Sequence, residues 1–244
     1  MANTKTAFRY YVIVACVIVT ITIAVFFVFK SNNTLEENHQ FALRSQYVMQ
    51  NPQGDVVYTW AVWLKVKGDR FHIHVLNSPE ITSKRLNVID NVLFSDMTYS
   101  NGSEYSGWNS VLSSLSNVKT HFLIPNAIHT DVTDIGEGDI VISFTNERNP
   151  DGYNGFTKML VDEKNHEILK AEITIYKVDS LSSDDLALIL RHELGHGLGL
   201  GHSDTNTDLM NAVIQREDPY ISQCDINALI KLYNGSDTIA VKCN

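Results

Sequence analysis

Three histidines, a glutamate and a glycine fall in one short run, His192-Glu193-Leu-Gly-His196-Gly-Leu-Gly199-Leu-Gly-His202. Residues four apart on a helix share a face one turn apart, so His192 and His196 can grip one metal ion. Glu193 follows the first of them, where its carboxylate can reach a metal-activated water without being a ligand. Gly199 can take the left-handed conformation that ends a helix and turns the chain back. His202, just past that turn, can then supply a third nitrogen. Three protein ligands and an open fourth position describe a catalytic zinc site rather than a structural one. At average residue usage the pattern arises by chance about once in 10⁵ chains of this length, which sets it apart from a bare HExxH. The glycines at 195, 197, 199 and 201 do not give GxGxxG spacing, and the run closes a helix instead of opening one, which argues against a dinucleotide loop.

These residues resemble the HExxHxxGxxH signature of the metzincin zinc endopeptidases. Ser203 and the later Asp208-Leu209-Met210 resemble the matrixin branch of that clan. The resemblance implies zinc ligation by His192, His196 and His202, with Glu193 as general base. It also implies that Met210 lies in a tight turn beneath the metal, peptide or protein substrates, and one catalytic zinc. The implied fold is α+β and zincin-like: a mixed, twisted five-stranded sheet, an active-site helix and a C-terminal helix. In this family an edge strand above the cleft holds extended substrate by main-chain pairing, and Ala171-Glu172-Ile173-Thr174-Ile175-Tyr176 is the candidate strand. The chain departs from the animal enzymes in having no cysteine-switch peptide, no proline after Met210, and one histidine, His166, in the loop before the site helix.

The elements needed to hold such a site are visible in the pattern. Residues 70–76 alternate as a strand, and 81–95 and 104–116 carry helical spacing with Trp108 as an anchor. Strands are expected at 121–124, 139–145, 156–161 and 168–176, the last two joined by a polar turn at 162–166. The site helix is expected from Ser182, with Asp185 answering three residues later and Leu186, Ile189, Leu190 and Leu194 facing the sheet. A final helix is expected over 225–233.

Tyr10 to Phe29 holds no charge. At about 1.5 Å per residue the run spans the hydrocarbon core of a bilayer. No small-x-small cleavage site follows it, so residues 10–30 read as a transmembrane anchor, with a cleaved signal peptide as the alternative. Lys5 and Arg9 favour residues 1–9 as a cytoplasmic tail and place the remainder outside the membrane. Residues 31–54 read as a polar stem closed by the Asn51-Pro-Gln-Gly54 turn, and 55–244 as the catalytic domain. A net charge of −9 speaks against nucleic acid as a partner.

Cys224 and Cys243 either pair, tying the tail to the last helix in an oxidising exterior, or remain free thiols. His72 and His74 share a strand face but make only two ligands. Asp131, Asp134, Glu137 and Asp139, and the segment 146–151, resemble oxygen-rich calcium loops. Neither fits the EF-hand pattern, and solvated acidic turns are the alternative to Ca²⁺.

Overall fold

The computed structural model describes residues 42–99, 104–214 and 220–243. The chain opens with strand β1 (Leu43–Gln50) and a short β2 (Val56–Val57), joined by the Asn51–Gly54 turn, in which the Gly54 amide donates to the Asn51 carbonyl at 2.9 Å. Strand β3 (Arg70–Leu76) follows, then helix α1 (Ser83–Phe94), capped by the Thr82 side chain accepting from the Arg85 amide. A small hairpin, β4 (Thr98–Tyr99) and β5 (Glu104–Tyr105), separates α1 from α2 (Trp108–Ser114). Strands β6 (Ala127–Thr133), β7 (Ile140–Phe144), β8 (Gly155–Asp162) and β9 (Glu167–Ile175) complete the larger sheet apart from β10 (Val213–Ile214). Helices α3 (Ser183–Gly197) and α4 (Gln223–Tyr233) flank the site.

The sheet runs β10-β1-β8-β9-β7-β3-β6, with β2 also paired to β1. β6, β3, β7 and β9 are mutually parallel, and β8 is antiparallel to β9. Four of these five, β3, β7, β8 and β9, fall where strands are expected, and β6 takes the place of the strand expected at 121–124. The other three correct the expectation: β1 pairs parallel to β8 on its outer side, and brings β2 and β10 with it.

The boundary of the polar stem is corrected too. The folded domain includes the chain from residue 42, and Leu43, Ser45 and Met49 of the expected stem are buried. Tyr10–Phe29, the expected anchor, lies outside the described residues; among those described, no helix is long and apolar enough to cross a membrane.

No strand forms over 121–124. The Phe122 amide is instead taken by the Tyr233 carbonyl at the end of α4, and the strand lies at Ala127–Thr133. As a sheet edge, β6 buries only Ile128, so it carries no clear apolar alternation to read.

Helix α3 packs on β1, β8 and β9 with α1 beside it. Its expected apolar face is buried, but so is every residue from Leu188 to Gly197. Neighbours on all sides exclude water from the half of the helix that bears the histidines. Trp108 is fully buried and its indole N–H donates to the Arg191 carbonyl at 2.9 Å, pinning α2 to the site helix.

Candidate active site

Ser182 starts the site helix as its sequence suggests: its hydroxyl accepts from the Asp185 amide at 3.0 Å and donates to the Asp185 carboxylate at 2.8 Å. Asp184 and Asp185 lie in the first turn, where the helix dipole favours anions, so they serve the helix end. At the other end the Leu200 amide reaches the Gly195 carbonyl at 3.0 Å and the Gly199 amide reaches His196 at 2.8 Å. That pair of bonds, with Gly199 at φ +105°, is the left-handed stop expected there. It turns the chain so that His202 comes back to His192 and His196.

The three rings converge, with one ligand nitrogen from each within 4.8 Å of the others. The His192 Nδ1–H donates to the Leu209 carbonyl at 2.6 Å and the His196 Nδ1–H to the Leu200 carbonyl at 2.7 Å. A carbonyl can only accept, so each bond fixes the proton on Nδ1 and leaves Nε2 as a bare lone pair. The Nε2 atoms of all three histidines are buried and have no hydrogen-bond partner. Buried polar atoms are rarely left unpaired, and a metal ion is the partner such a triad fits. Burial pushes His192 down to about 3 and His202 to about 4, and holds His196 well below the usual histidine value, so all three are neutral and ready to ligate.

Met210 is fully buried in the turn after His202. The turn is closed by the Ser203 amide donating to the Met210 carbonyl at 2.8 Å and by the Met210 amide donating to Asp208 at 2.9 Å. A Cβ on Gly195 would overlap the Met210 sulfur, so the glycine between the two helical histidines is what lets the thioether pack against this turn of the helix.

Glu193 is buried beside the cluster. One carboxylate oxygen accepts from the Ser45 hydroxyl at 2.5 Å and the other from the Thr157 hydroxyl at 2.6 Å. Burial pushes its pKa up to about 8 despite these two donors, close to the range a general base and acid needs near neutrality. Ser45 and Thr157 were not legible as site residues; nor was Tyr47, whose ring lies 4.4 Å from the His196 ring and 5.1 Å from that of His202. The available signal was the alternation Leu43, Ser45, Tyr47, Met49.

The edge-strand expectation is corrected. Ala171 to Ile175 belong to β9, which is paired on one side to β7 and on the other to β8, so it has no free edge to offer a peptide. Its near-complete apolar burial on one face is that of an interior strand. The strands bordering the site are β8, where Thr157 lies, and β1, which carries Ser45 and Tyr47.

Cys224 and Cys243 are bonded, with Cα atoms 5.2 Å apart, and tie the C-terminal segment to α4. Among the described residues the other convergent group of metal-ligating side chains is Asp208 with these two cysteines, whose sulfurs are spent on each other. The acidic residues of the calcium-like loops do not converge. Asp134 accepts from Asn77, Asp139 from the His72 amide, and Asp131 pairs with His129. His72 pairs with Asp139 at 3.3 Å, and among the described residues neither it nor His74 joins a group of three or more metal-ligating side chains.

Residues 124–234 match the matrixin family model. No curated protein matches the chain. The matrixin-like segment begins ahead of β6 and takes in β7, β8, β9, the site helix, the methionine turn and α4. It supports a zinc-dependent metalloprotease, with the histidine triad at the place where zinc is required. Strands β1 and β3 lie outside the matched segment.

Proposed function

We propose that this chain is a zinc-dependent endopeptidase, held to a membrane by residues 10–30 with its catalytic domain on the extracytoplasmic side. The observation that carries the reading is the convergence of three bare, buried Nε2 atoms beside a buried carboxylate, within a matrixin-like segment. His192, His196 and His202 are the residues that would hold zinc, and zinc in such a site supplies Lewis acidity to water and to a carbonyl oxygen. Glu193 takes the proton of the attacking water as the scissile carbon is attacked, then delivers it to the departing amine nitrogen. Thr157 positions that carboxylate. An extended peptide would be held by backbone pairing along β8, from Gly155 toward Leu160, in place of β1, which pairs with that stretch, with side-chain pockets giving selectivity.

The test is cleavage of a mixed peptide library by the full chain in detergent, with zinc content measured on the same sample. Hydrolysis removed by a chelator, restored by zinc, and lowered at least about 10³-fold in Glu193→Gln with zinc retained is the expected result. One zinc per chain with no cleavage would leave a zinc-binding surface module and refute the endopeptidase.

A further inference from the structure

Resting on the reading of His202 as a zinc ligand, we infer that the C-terminal segment Ile239–Val241 is the positioning element of that residue. It lies beyond the matched segment, which ends at 234, and clamps the third ligand in register with the two on the helix.

His192 and His196 are each fixed twice, by helix α3 and by the bond from ring Nδ1–H to a carbonyl. His202 stands past the helix, in chain with no regular structure. Among the described residues no carbonyl accepts from its ring. A metal-binding imidazole is ordinarily oriented through its second nitrogen. With that bond missing, the placement of His202 rests on the Tyr47 ring beside it and on whatever grips its backbone.

The tail is what grips it. The Gly201 amide donates to the Ile239 carbonyl at 2.7 Å, and the His202 carbonyl accepts from the Val241 amide at 3.3 Å. These two bonds bracket the Cα of His202. Ser203 continues the pairing, bridged to Val241 on one side and to Asn211, after the methionine, on the other. Val241 is fully buried, and Cys243 two residues on anchors the segment to α4. Gly201 is an independent sign of the same contact. It is not one of the glycines with positive φ, so its backbone conformation does not demand glycine. A Cβ there would stand 2.9 Å from the Ile239 side chain and 3.1 Å from the Ile239 carbonyl oxygen. The missing side chain therefore serves the close approach of the tail, not the turn.

The experiment uses the full chain in detergent, as the parent and as Val241→Pro, Val241→Ala, Gly201→Ala and His202→Ala. Proline at 241 removes the N–H that reaches His202, alanine keeps it, and alanine at 201 pushes Ile239 away. Three readouts are taken: zinc affinity by competition with a chromophoric chelator, the visible bands of the cobalt(II)-loaded protein, and the urea midpoint of the zinc-free chain. Loss of a group that orients a ligand typically weakens metal binding about 10- to 100-fold. Val241→Pro and Gly201→Ala should show that loss and altered cobalt bands while still folded, and Val241→Ala should stay close to the parent.

Parent-like zinc affinity and cobalt bands in both Val241→Pro and Gly201→Ala overturn the clamp, even with lowered urea midpoints, since the tail would then serve stability alone. Unfolding of both zinc-free variants overturns it too, making the tail a core segment. So does equal weakening in Val241→Ala and Val241→Pro, which would assign the effect to apolar packing and not to the backbone bond. Parent-like affinity in His202→Ala refutes the ligand reading itself, and the clamp with it. The expected pattern with no peptide hydrolysis by the parent upholds the clamp and refutes only the endopeptidase.

Discussion

Zinc binding at pH 6 should release about one proton, not the two or more that an ordinary histidine triad would shed. A histidine at its usual value of 6.5 is about three-quarters protonated at pH 6, so three such ligands would give up about 2.3 protons. In this fold burial holds His192 at about 3 and His202 at about 4, with His196 also far down, so the triad is already neutral and gives up almost none. Glu193, raised to about 8 by burial, carries a proton at pH 6 that a neighbouring dication drives off.

The assay is titration calorimetry of the zinc-depleted, folded chain at pH 6 in two buffers of different ionisation enthalpy. The difference between the observed heats counts the protons. Release of two or more would refute the statement that the triad is neutral before the metal arrives. The Glu193→Gln protein supplies the control and should release close to none.

The same shifts give the zinc-depleted fold two opposed pH trends. Below about 6.5 the unfolded chain takes up histidine protons that the folded one refuses, so stability falls as pH drops toward the folded values of about 3 to 4. Between about 4.5 and 8 the folded state keeps a proton on Glu193 that the unfolded chain has lost, so that contribution falls as pH rises.

Two further substitutions test the packing around the site. Gly195→Ala places a Cβ into the Met210 sulfur, an overpacking that should cost about 1 to 3 kcal/mol in denaturant unfolding and loosen zinc retention; an unchanged midpoint would mean that Met210 does not pack there. Replacing both Cys224 and Cys243 by serine opens a loop closed across 19 residues, which should cost about 3 kcal/mol on the chain-entropy model and leave zinc content unchanged; thermal unfolding of the oxidised parent against the double variant measures it.

The histidine cluster was legible because it is local. His192, Glu193, His196, Gly199 and His202 lie within one helix end and its turn, so helical spacing and the left-handed demand at 199 convert directly into geometry. Ser182 with Asp185, and the hairpin of β8 and β9, were legible for the same reason. Tertiary partners were not. Nothing in Thr157 taken alone distinguishes a strand threonine facing solvent from one donating to Glu193. Pairing of Cys224 with Cys243 depends on the start of α4 and the final segment being neighbours in the fold.

The two departures from expectation at the site have one cause. Ala171–Tyr176 reads as an amphipathic strand, and a one-dimensional pattern says which residues face inward, not which strand lies at the border of the sheet. That is fixed by topology: β8 returns antiparallel past β9 and so stands between it and the site. Leu43–Gln50 falls within the expected stem, and Arg44, Ser45, Gln46 and Gln50 make it polar, although Leu43, Tyr47 and Met49 keep a period of two around Ser45. A strand that lies against Glu193 sets the Ser45 hydroxyl on its carboxylate, and that polar residue interrupts the apolar alternation by which buried strands are recognised. The weakness of its sequence signal and the presence of Ser45 on Glu193 are therefore the same physical fact.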